Sequence, residues 1–173
     1  MQRFLYILVF CISCLGNINA QTCTIPTTVI LVRHAEKALD QGNDPSLTEF
    51  GKARANQLVD RLTDANIAAL YATQFKRTQE TLLPLGQRHA LPIVVLDVSQ
   101  SNWELFPETL KKHILANHCG KVAVVAHHSN TIPRIINAWT GTNMKDIEET
   151  DYGNLFLLTL QPHSKATLIR ARF

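Results

Sequence analysis

The chain has 173 residues, of which 46% are apolar and 18% are charged, and its formal net charge is +3. This length and composition are typical of one globular domain and exclude a largely disordered chain. The small positive charge forms no basic run interleaved with aromatic residues, so we expect no nucleic-acid partner.

The first twenty residues, MQRFLYILVFCISCLGNINA, differ from the rest. They combine one early positive charge, an apolar run over 4–15 and a small residue at Ala20. This is the pattern of a secretory signal peptide, and the apolar run is too short to span a membrane comfortably. We therefore predict a signal peptide over 1–20, a mature domain over 21–173, and export to the periplasm or the medium. A lipoprotein signal with Cys14 as the modified residue is the alternative.

After this segment, predicted strands and helices alternate along the chain. The run VILVR is almost continuously apolar, as in a strand buried on both faces. The helix that follows has Ser46 and Glu49 at capping-box spacing, and the next helix contains Pro84, which we expect to end or kink it. In chain order we predict strand 29–33, helix 44–62, strand 67–73, helix 77–86, strand 92–97, helix 107–118, strand 121–128, helix 131–141, and a hairpin of strands 154–160 and 165–173.

Strands joined by helices predict right-handed crossovers and a three-layer α/β/α fold with a mostly parallel central sheet. Two cysteines remain beyond the signal peptide, Cys23 just before the first strand and Cys119 just before the fourth. If these strands are parallel neighbours, both cysteines lie at the same edge of the sheet. In an oxidising compartment such a pair forms a disulfide, which we predict here, with two free thiols as the alternative.

Ligands of such sheets bind beyond the carboxyl ends of the strands, where this chain carries several candidate functional residues. They are Arg33 and His34 after the first strand, Thr73 and Arg77 after the second, and His127, His128, Ser129 and Asn130 after the fourth. Arginine binds phosphate oxygens with two parallel hydrogen bonds, and a neutral imidazole is a nucleophile near neutral pH. If a backbone carbonyl holds the far ring nitrogen of a histidine, its near nitrogen can attack phosphorus. No metal or cofactor is required for this chemistry.

Four segments, LVRHAEK, SLTEFGKARANQL, LYATQFKRTQETLLPL and VAVVAHHSNTIPRIINAWTG, resemble the histidine phosphatase superfamily, the phosphoglycerate mutase-like or histidine acid phosphatase clan. The resemblance covers almost the whole chain after the signal peptide, in the family's order, and implies a phosphoglycerate mutase-like fold. It implies His34 as the nucleophile that forms a phosphohistidine. The other residues that it carries over are Arg33 and Arg77 as phosphoryl ligands and Thr73 and Asn130 near the phosphate. For the second catalytic histidine it implies His128, which directly precedes a serine, with the adjacent His127 as the alternative.

The resemblance does not assign a residue of this chain as the proton donor for the leaving group. Relatives place a glutamate after the third strand or an aspartate after the second histidine, but here Ser129 follows His128. We expect Asp97 to be the acid, with Glu104 and Glu36 as alternatives. Without an acid, the enzyme would need substrates with good leaving groups, such as phosphohistidine or acyl phosphate. A short acidic stretch over 148–151 is predicted to be a solvated loop that could border the pocket.

The function that these features favour is an exported, metal-independent phosphatase acting through a phosphohistidine. A non-catalytic sensor of a phosphate ligand and a metal-dependent hydrolase are the alternatives. The helices between the third and fourth strands are short, which suggests an open site and a large or surface-attached substrate. The expected partner is a small-molecule or surface-attached phosphorylated substrate.

Overall fold

The structure is a computed structural model that describes residues 23–162 and 164–173. The predicted signal peptide over 1–20 and its Cys14 alternative lie outside these residues. Six strands and four helices follow one another in this order: β1 (Thr27–Arg33), α1 (Glu49–Arg61), β2 (Ile67–Ala72), α2 (Lys76–His89), β3 (Ile93–Val95), α3 (Phe106–His118), β4 (Val122–His127), α4 (Thr131–Thr140), β5 (Asn154–Leu160) and β6 (Thr167–Arg172).

The strands form a single sheet in the order β3-β2-β4-β1-β5-β6. The first four strands of this order are mutually parallel, and β5 and β6 add an antiparallel hairpin at one edge. Because a parallel pair needs a crossover connection, the helices alternate with the parallel strands as the sequence pattern requires. The predicted fold class, a three-layer α/β/α structure with a mostly parallel sheet, is confirmed.

Alternation of side chains along the strands divides the core into two layers. Val29 and Leu31 of β1 pack on the face that is covered by α3 and α4. Helix α3 contributes Leu110 and Ile114 to this layer, and α4 contributes Trp139. The alternate residues of β1, Ile30 and Val32, face α1 and α2. Leu58, Leu82 and Leu85 of these helices, with Leu62 directly after α1, complete the second layer. Apolar side chains therefore cover both faces of β1 and β4, which lie at the centre of the sheet and end beside the candidate site.

The first two helices differ from the sequence predictions. Helix α1 begins at Glu49, and Thr48, not Ser46, is the N-cap residue, whose hydroxyl accepts a hydrogen bond from the Gly51 amide at 3.1 Å. The predicted cap at Ser46 is wrong because the segment around it pairs as extended chain with residues 36–38, through Lys37 opposite Leu47. Helix α2 continues past Pro84 to His89, since burial of its apolar side against the sheet outweighs the hydrogen bond that proline removes.

A disulfide joins Cys23 to Cys119, with 5.4 Å between their Cα atoms. The two cysteines lie at the same edge of the sheet because β1 and β4 are parallel neighbours, with Thr28 opposite Val122. The bridge therefore ties the start of β1 to the connection between α3 and β4. None of the helices in the described part of the chain is long and apolar enough to cross a membrane.

Candidate active site

The parallel pairing of β1 with β4 brings the two histidine-bearing strand ends together. Arg33 lies opposite His127, and the His34 amide donates a hydrogen bond to the His127 carbonyl at 2.9 Å. Because successive side chains alternate across the sheet, the next residue of each strand turns to the other face. The rings of His34 and His128 are thereby placed together, with 5.5 Å between their centroids.

The ring of His34 is oriented by the backbone carbonyl of the next residue. Its Nδ1 lies 2.8 Å from the Ala35 oxygen, and since a carbonyl only accepts, Nδ1 carries the proton. The side chain is 3% exposed, and burial lowers its pKa to about 4, with Arg33 and Arg77 also lowering it against the opposing effect of the Ala35 hydrogen bond. The imidazole is therefore neutral at pH 7, and its Nε2 keeps the lone pair that a nucleophile needs.

A chain of threonine hydroxyls orients the ring of His128. The Thr78 hydroxyl donates to the Phe75 carbonyl at 2.8 Å and lies 2.9 Å from the Thr73 hydroxyl, which is 3.1 Å from His128 Nε2. Because the Thr78 proton is committed to the carbonyl, Thr73 donates to Thr78 and accepts from His128 Nε2–H. His128 is 9% exposed, and burial, followed by the charges of neighbouring groups, holds its pKa far below the usual value. Thr78 belongs to one of the segments that carry the family resemblance, but the sequence assigned it no role in the site.

The structure distinguishes His127 from His128, the two adjacent histidines that the sequence offered as the second histidine of the site. His127 is 1% exposed, stacks edge-on against Phe106 and is hydrogen-bonded through Nδ1 to the Thr131 hydroxyl. Burial lowers its pKa to about 3. His128, and not His127, lines the cleft in front of His34. The reason is strand alternation, which directs His127 toward the α3 and α4 layer.

Two guanidinium groups lie beside the histidines. Arg77 lines the cleft over the Phe75 ring, 4.4 Å from its centroid, and its ion pair in the described structure is a distant one, 3.9 Å from Asp44. Arg33 is buried beneath the rim, stacks on Tyr152 at 4.2 Å and donates to the Glu148 carbonyl and the Glu149 carboxylate, each at 2.7 Å. The Nε atoms of both arginines are buried without a hydrogen-bond partner. Positive charge and unpaired donors next to a neutral imidazole can bind an oxyanion and stabilise charge on its oxygens.

These groups border a cleft of about 710 Å³ at the carboxyl ends of β1, β2 and β4. Of the candidate residues named from the sequence, those that line it are His34, Arg77, His128, Ser129 and Asn130. Arg33 and Thr73 are buried behind this lining and act on it through the hydrogen bonds given above. The acidic stretch borders the cleft through Glu148 and Glu149. Lining residues that sequence reasoning missed include Lys37, Phe75, Gln100, Trp103 and Asp146.

The three carboxyl groups predicted as the proton donor are not brought into the cleft. Val98 and Ser99 line it, but the side chain of Asp97 is exposed outside the lining. Glu104 is likewise exposed and outside it. Glu36 is held by Arg54, whose Nε and terminal nitrogen lie 2.7 to 2.9 Å from its oxygens. Within 23–162 and 164–173, no group of three or more histidine, cysteine or acidic residues is arranged to hold a metal ion.

Comparisons with known proteins show which family part of the chain resembles. The sequence profile of the histidine phosphatase superfamily (branch 1) matches residues 29–98, which contain both arginines and the first histidine of the site. Phosphoserine phosphatase 1 of Hydrogenobacter thermophilus is 30% identical over 97 residues, which cover 49% of this chain and 46% of that protein. This chain therefore matches less than half of the length of that relative.

Solved structures share the fold over most of the chain. The protein histidine phosphatase SixA, solved with tungstate, has a TM-score of 0.68 at 18% identity, covering 84% of this chain and 96% of its own. The mycobacterial glucosyl-3-phosphoglycerate phosphatase Rv2419c has a TM-score of 0.66 at 12% identity, covering 83% and 97%. The profile match, the relative and the shared fold agree with the motifs at the ends of β1, β2 and β4. Residues 29–98 are therefore similar to the histidine phosphatase superfamily, and the chain shares its fold with the solved structures named above.

Proposed function

We propose that this protein is a phosphatase that transfers a phosphoryl group from its substrate to His34 and then to water. The observation that carries the proposal is the hydrogen bond from His34 Nδ1 to the Ala35 carbonyl, which leaves Nε2 unprotonated. Arg77 lines the same cleft, so a cation that binds a phosphoryl oxyanion lies beside the nucleophile.

The reaction has two steps. First, the lone pair of His34 Nε2 attacks phosphorus, the bond to the leaving oxygen breaks, and that oxygen takes a proton from a donor at the cleft. Second, a water oxygen attacks the phosphorus and gives up a proton, which replaces the one used in the first step, while the P–N bond breaks and its electron pair returns to Nε2, releasing inorganic phosphate. Arg33 and Arg77 neutralise charge on the phosphoryl oxygens in both steps. The Thr73 hydroxyl holds the ring of His128 in its place at the cleft. These steps involve no metal ion.

The test is the release of phosphate from p-nitrophenyl phosphate by the mature chain in the presence of a chelator, beside His34→Ala and His34→Asn. We expect turnover by the native protein and a loss of at least a thousandfold in both variants, because the nucleophile is absent. An acid-labile, alkali-stable phosphoenzyme should accumulate in the native protein alone. Activity that survives in His34→Ala would contradict the proposal, and loss of activity in chelator would favour a metal-dependent hydrolase.

A second candidate function is binding of a phosphate ligand without turnover. It is favoured by the absence of Asp97, Glu104 and Glu36 from the cleft and by the bond of Arg33 to Glu149, which occupies a donor that a phosphoryl group would use. In that case phosphate would raise the unfolding temperature of the protein, but neither p-nitrophenyl phosphate nor an alkyl phosphate would be hydrolysed.

The substrate class is a phosphorylated small molecule or a phosphorylated group attached to a larger structure. The named relatives act on phosphoserine and on glucosyl-3-phosphoglycerate, and SixA is a protein histidine phosphatase, so they have the phosphoryl group in common and not the leaving group. A screen of phosphomonoesters, phosphohistidine and an acyl phosphate compared by kcat/KM would rank these classes for this chain.

We also propose that the protein is exported and works in an oxidising compartment. The support is the signal-like pattern of 1–20 together with the bond between Cys23 and Cys119, a type of bond that persists in oxidising compartments and is rare in the cytosol. Fractionation of cells expressing the full chain, with mass determination of the mature N-terminus, tests this. Recovery of the uncleaved protein in the cytosol with free thiols would contradict it.

A further inference from the structure

Glu149 lines the cleft and its carboxylate contacts two side chains of the site. Its Oε2 accepts a hydrogen bond from Arg33 at 2.7 Å, and its Oε1 accepts one from the Ser129 hydroxyl at 3.0 Å. Ser129 directly follows His128, so this carboxylate bridges the residues next to the two site histidines. The side chain is nevertheless 73% exposed, which leaves it free to adjust when a substrate enters.

Three carboxyl residues line the cleft, Asp146, Glu148 and Glu149. Glu148 contributes its backbone carbonyl to Arg33, and no hydrogen bond to the site is formed by the carboxylate of Glu148 or Asp146 in the described structure. Among these three residues, Glu149 is therefore the one whose carboxylate is hydrogen-bonded to side chains of the site, those of Arg33 and Ser129. It comes from the connection between α4 and β5, far along the chain from the acids that the sequence suggested.

The bond between Arg33 and Glu149 would not survive substrate binding unchanged. In the free protein partial burial of Glu149 is outweighed by the Ser129 hydrogen bond and the Arg33 charge, which hold the pKa of its carboxyl below the usual value. A phosphoryl dianion binds guanidinium more strongly than a carboxylate does, so it takes the Arg33 donor. The carboxylate then loses its cation and lies next to two negative charges, and both changes favour its protonated form.

We propose that Glu149 is the catalytic acid and base of this phosphatase, an inference that rests on the function proposed above. In the first step the protonated carboxyl gives its proton to the leaving oxygen as the P–O bond breaks. In the second step the carboxylate takes a proton from water as the water oxygen bonds to phosphorus and the P–N bond to His34 breaks. The carboxyl is thereby returned to its protonated state, and no further reactant is consumed.

The test compares Glu149→Gln with the native protein on two substrates that differ in leaving group. Glutamine keeps the size and the hydrogen-bonding oxygen of the side chain but cannot transfer a proton. p-Nitrophenol leaves without protonation, whereas the alkoxide of glycerol 2-phosphate requires it. The measured quantity is kcat/KM, which reports the first chemical step. Glu104→Gln is the matched control, because its exposed carboxyl lies outside the cleft lining.

We expect Glu149→Gln to lose about a hundredfold or more in kcat/KM on glycerol 2-phosphate and less than about tenfold on p-nitrophenyl phosphate. Equal losses on both substrates would overturn the inference, because they would mean that Glu149 only positions Arg33. A gain in activity with tighter binding of inorganic phosphate would also overturn it, by identifying Glu149 as a competing anion. If the native protein hydrolyses neither substrate, the proposed function fails instead.

Discussion

Acidification from pH 7 to pH 5 should destabilise this protein strongly through its three buried site histidines. His34, His127 and His128 all have pKa values lowered chiefly by burial, to about 4 for His34 and about 3 for His127. In the unfolded chain a histidine titrates near 6.5. Below that pH the unfolded state binds protons that the folded state does not bind, so the free energy of unfolding falls as pH falls.

The magnitude follows from these values. At pH 5 a histidine with a pKa of 6.5 stabilises the unfolded state by about 2 kcal/mol, whereas a folded-state pKa near or below 4 gives almost no compensation. Three independent histidines would lower the free energy of unfolding by about 5 to 6 kcal/mol, which is comparable to the whole stability of many domains. The lowered pKa values of Glu36, Glu149 and Asp151 act mainly at lower pH and contribute little in this window.

The assay is urea unfolding at pH 7 and pH 5, followed by the fluorescence of buried Trp139, in a buffer without phosphate. Phosphate must be absent because an anion in the cleft would stabilise the protonated histidines. His127→Asn should reduce the loss between the two pH values by about 2 kcal/mol, since one titrating group is removed without changing the cleft lining. A total loss below about 2 kcal/mol in the native protein would refute the claim that these histidines are buried in the neutral state.

Two further predictions concern stability. Replacing Cys23 and Cys119 by serine should lower the free energy of unfolding, measured by urea unfolding, by about 4 to 5 kcal/mol. This value follows from the chain-entropy relation for a loop of this length. Reductant should destabilise the native protein by the same amount and should not destabilise the variant. Gly51→Ala should lower the free energy of unfolding by about 1 to 3 kcal/mol, because the added Cβ would come within 2.3 Å of the Glu36 carbonyl oxygen. The control Lys52→Ala, at an exposed position, should change it by less than about 0.5 kcal/mol. An unchanged stability of Gly51→Ala would show that the start of α1 can shift freely.

Local patterns were enough to predict the elements and the nucleophile. The run from Thr27 to Arg33 is buried on both faces and ends at His34, and such a run predicts a central parallel strand whose polar residues lie at the sheet's carboxyl edge. The order of elements and the fold class were predicted on this basis and are confirmed, whereas the family was predicted from the resemblance of four segments, part of which the profile match over 29–98 supports. Helix boundaries were predicted less well, because the chain near Ser46 pairs with residues 36–38 instead of capping the helix.

The contacts within the site could not be predicted in the same way. Arg33 bonds to Glu149, which is 116 residues further along the chain, and His128 is oriented by hydroxyls on a different strand and helix. No periodicity in either segment records these partners. The choice of Asp97 as the acid relied on its place after the third strand, but β3 ends at Val95 and Asp97 is exposed in the irregular segment that follows.

The sequence by itself determined which residues could do the chemistry, since hydrophobic period, strand ends and the adjacency of Arg33 and His34 are local properties. Only the tertiary structure decided which of them meet. The register of β1 against β4 selects His128 over His127 for the cleft, and the connection before β5 brings an acidic side chain to Arg33. The physical reason is that packing of the whole sheet and its helices sets these distances, and no short segment carries that information.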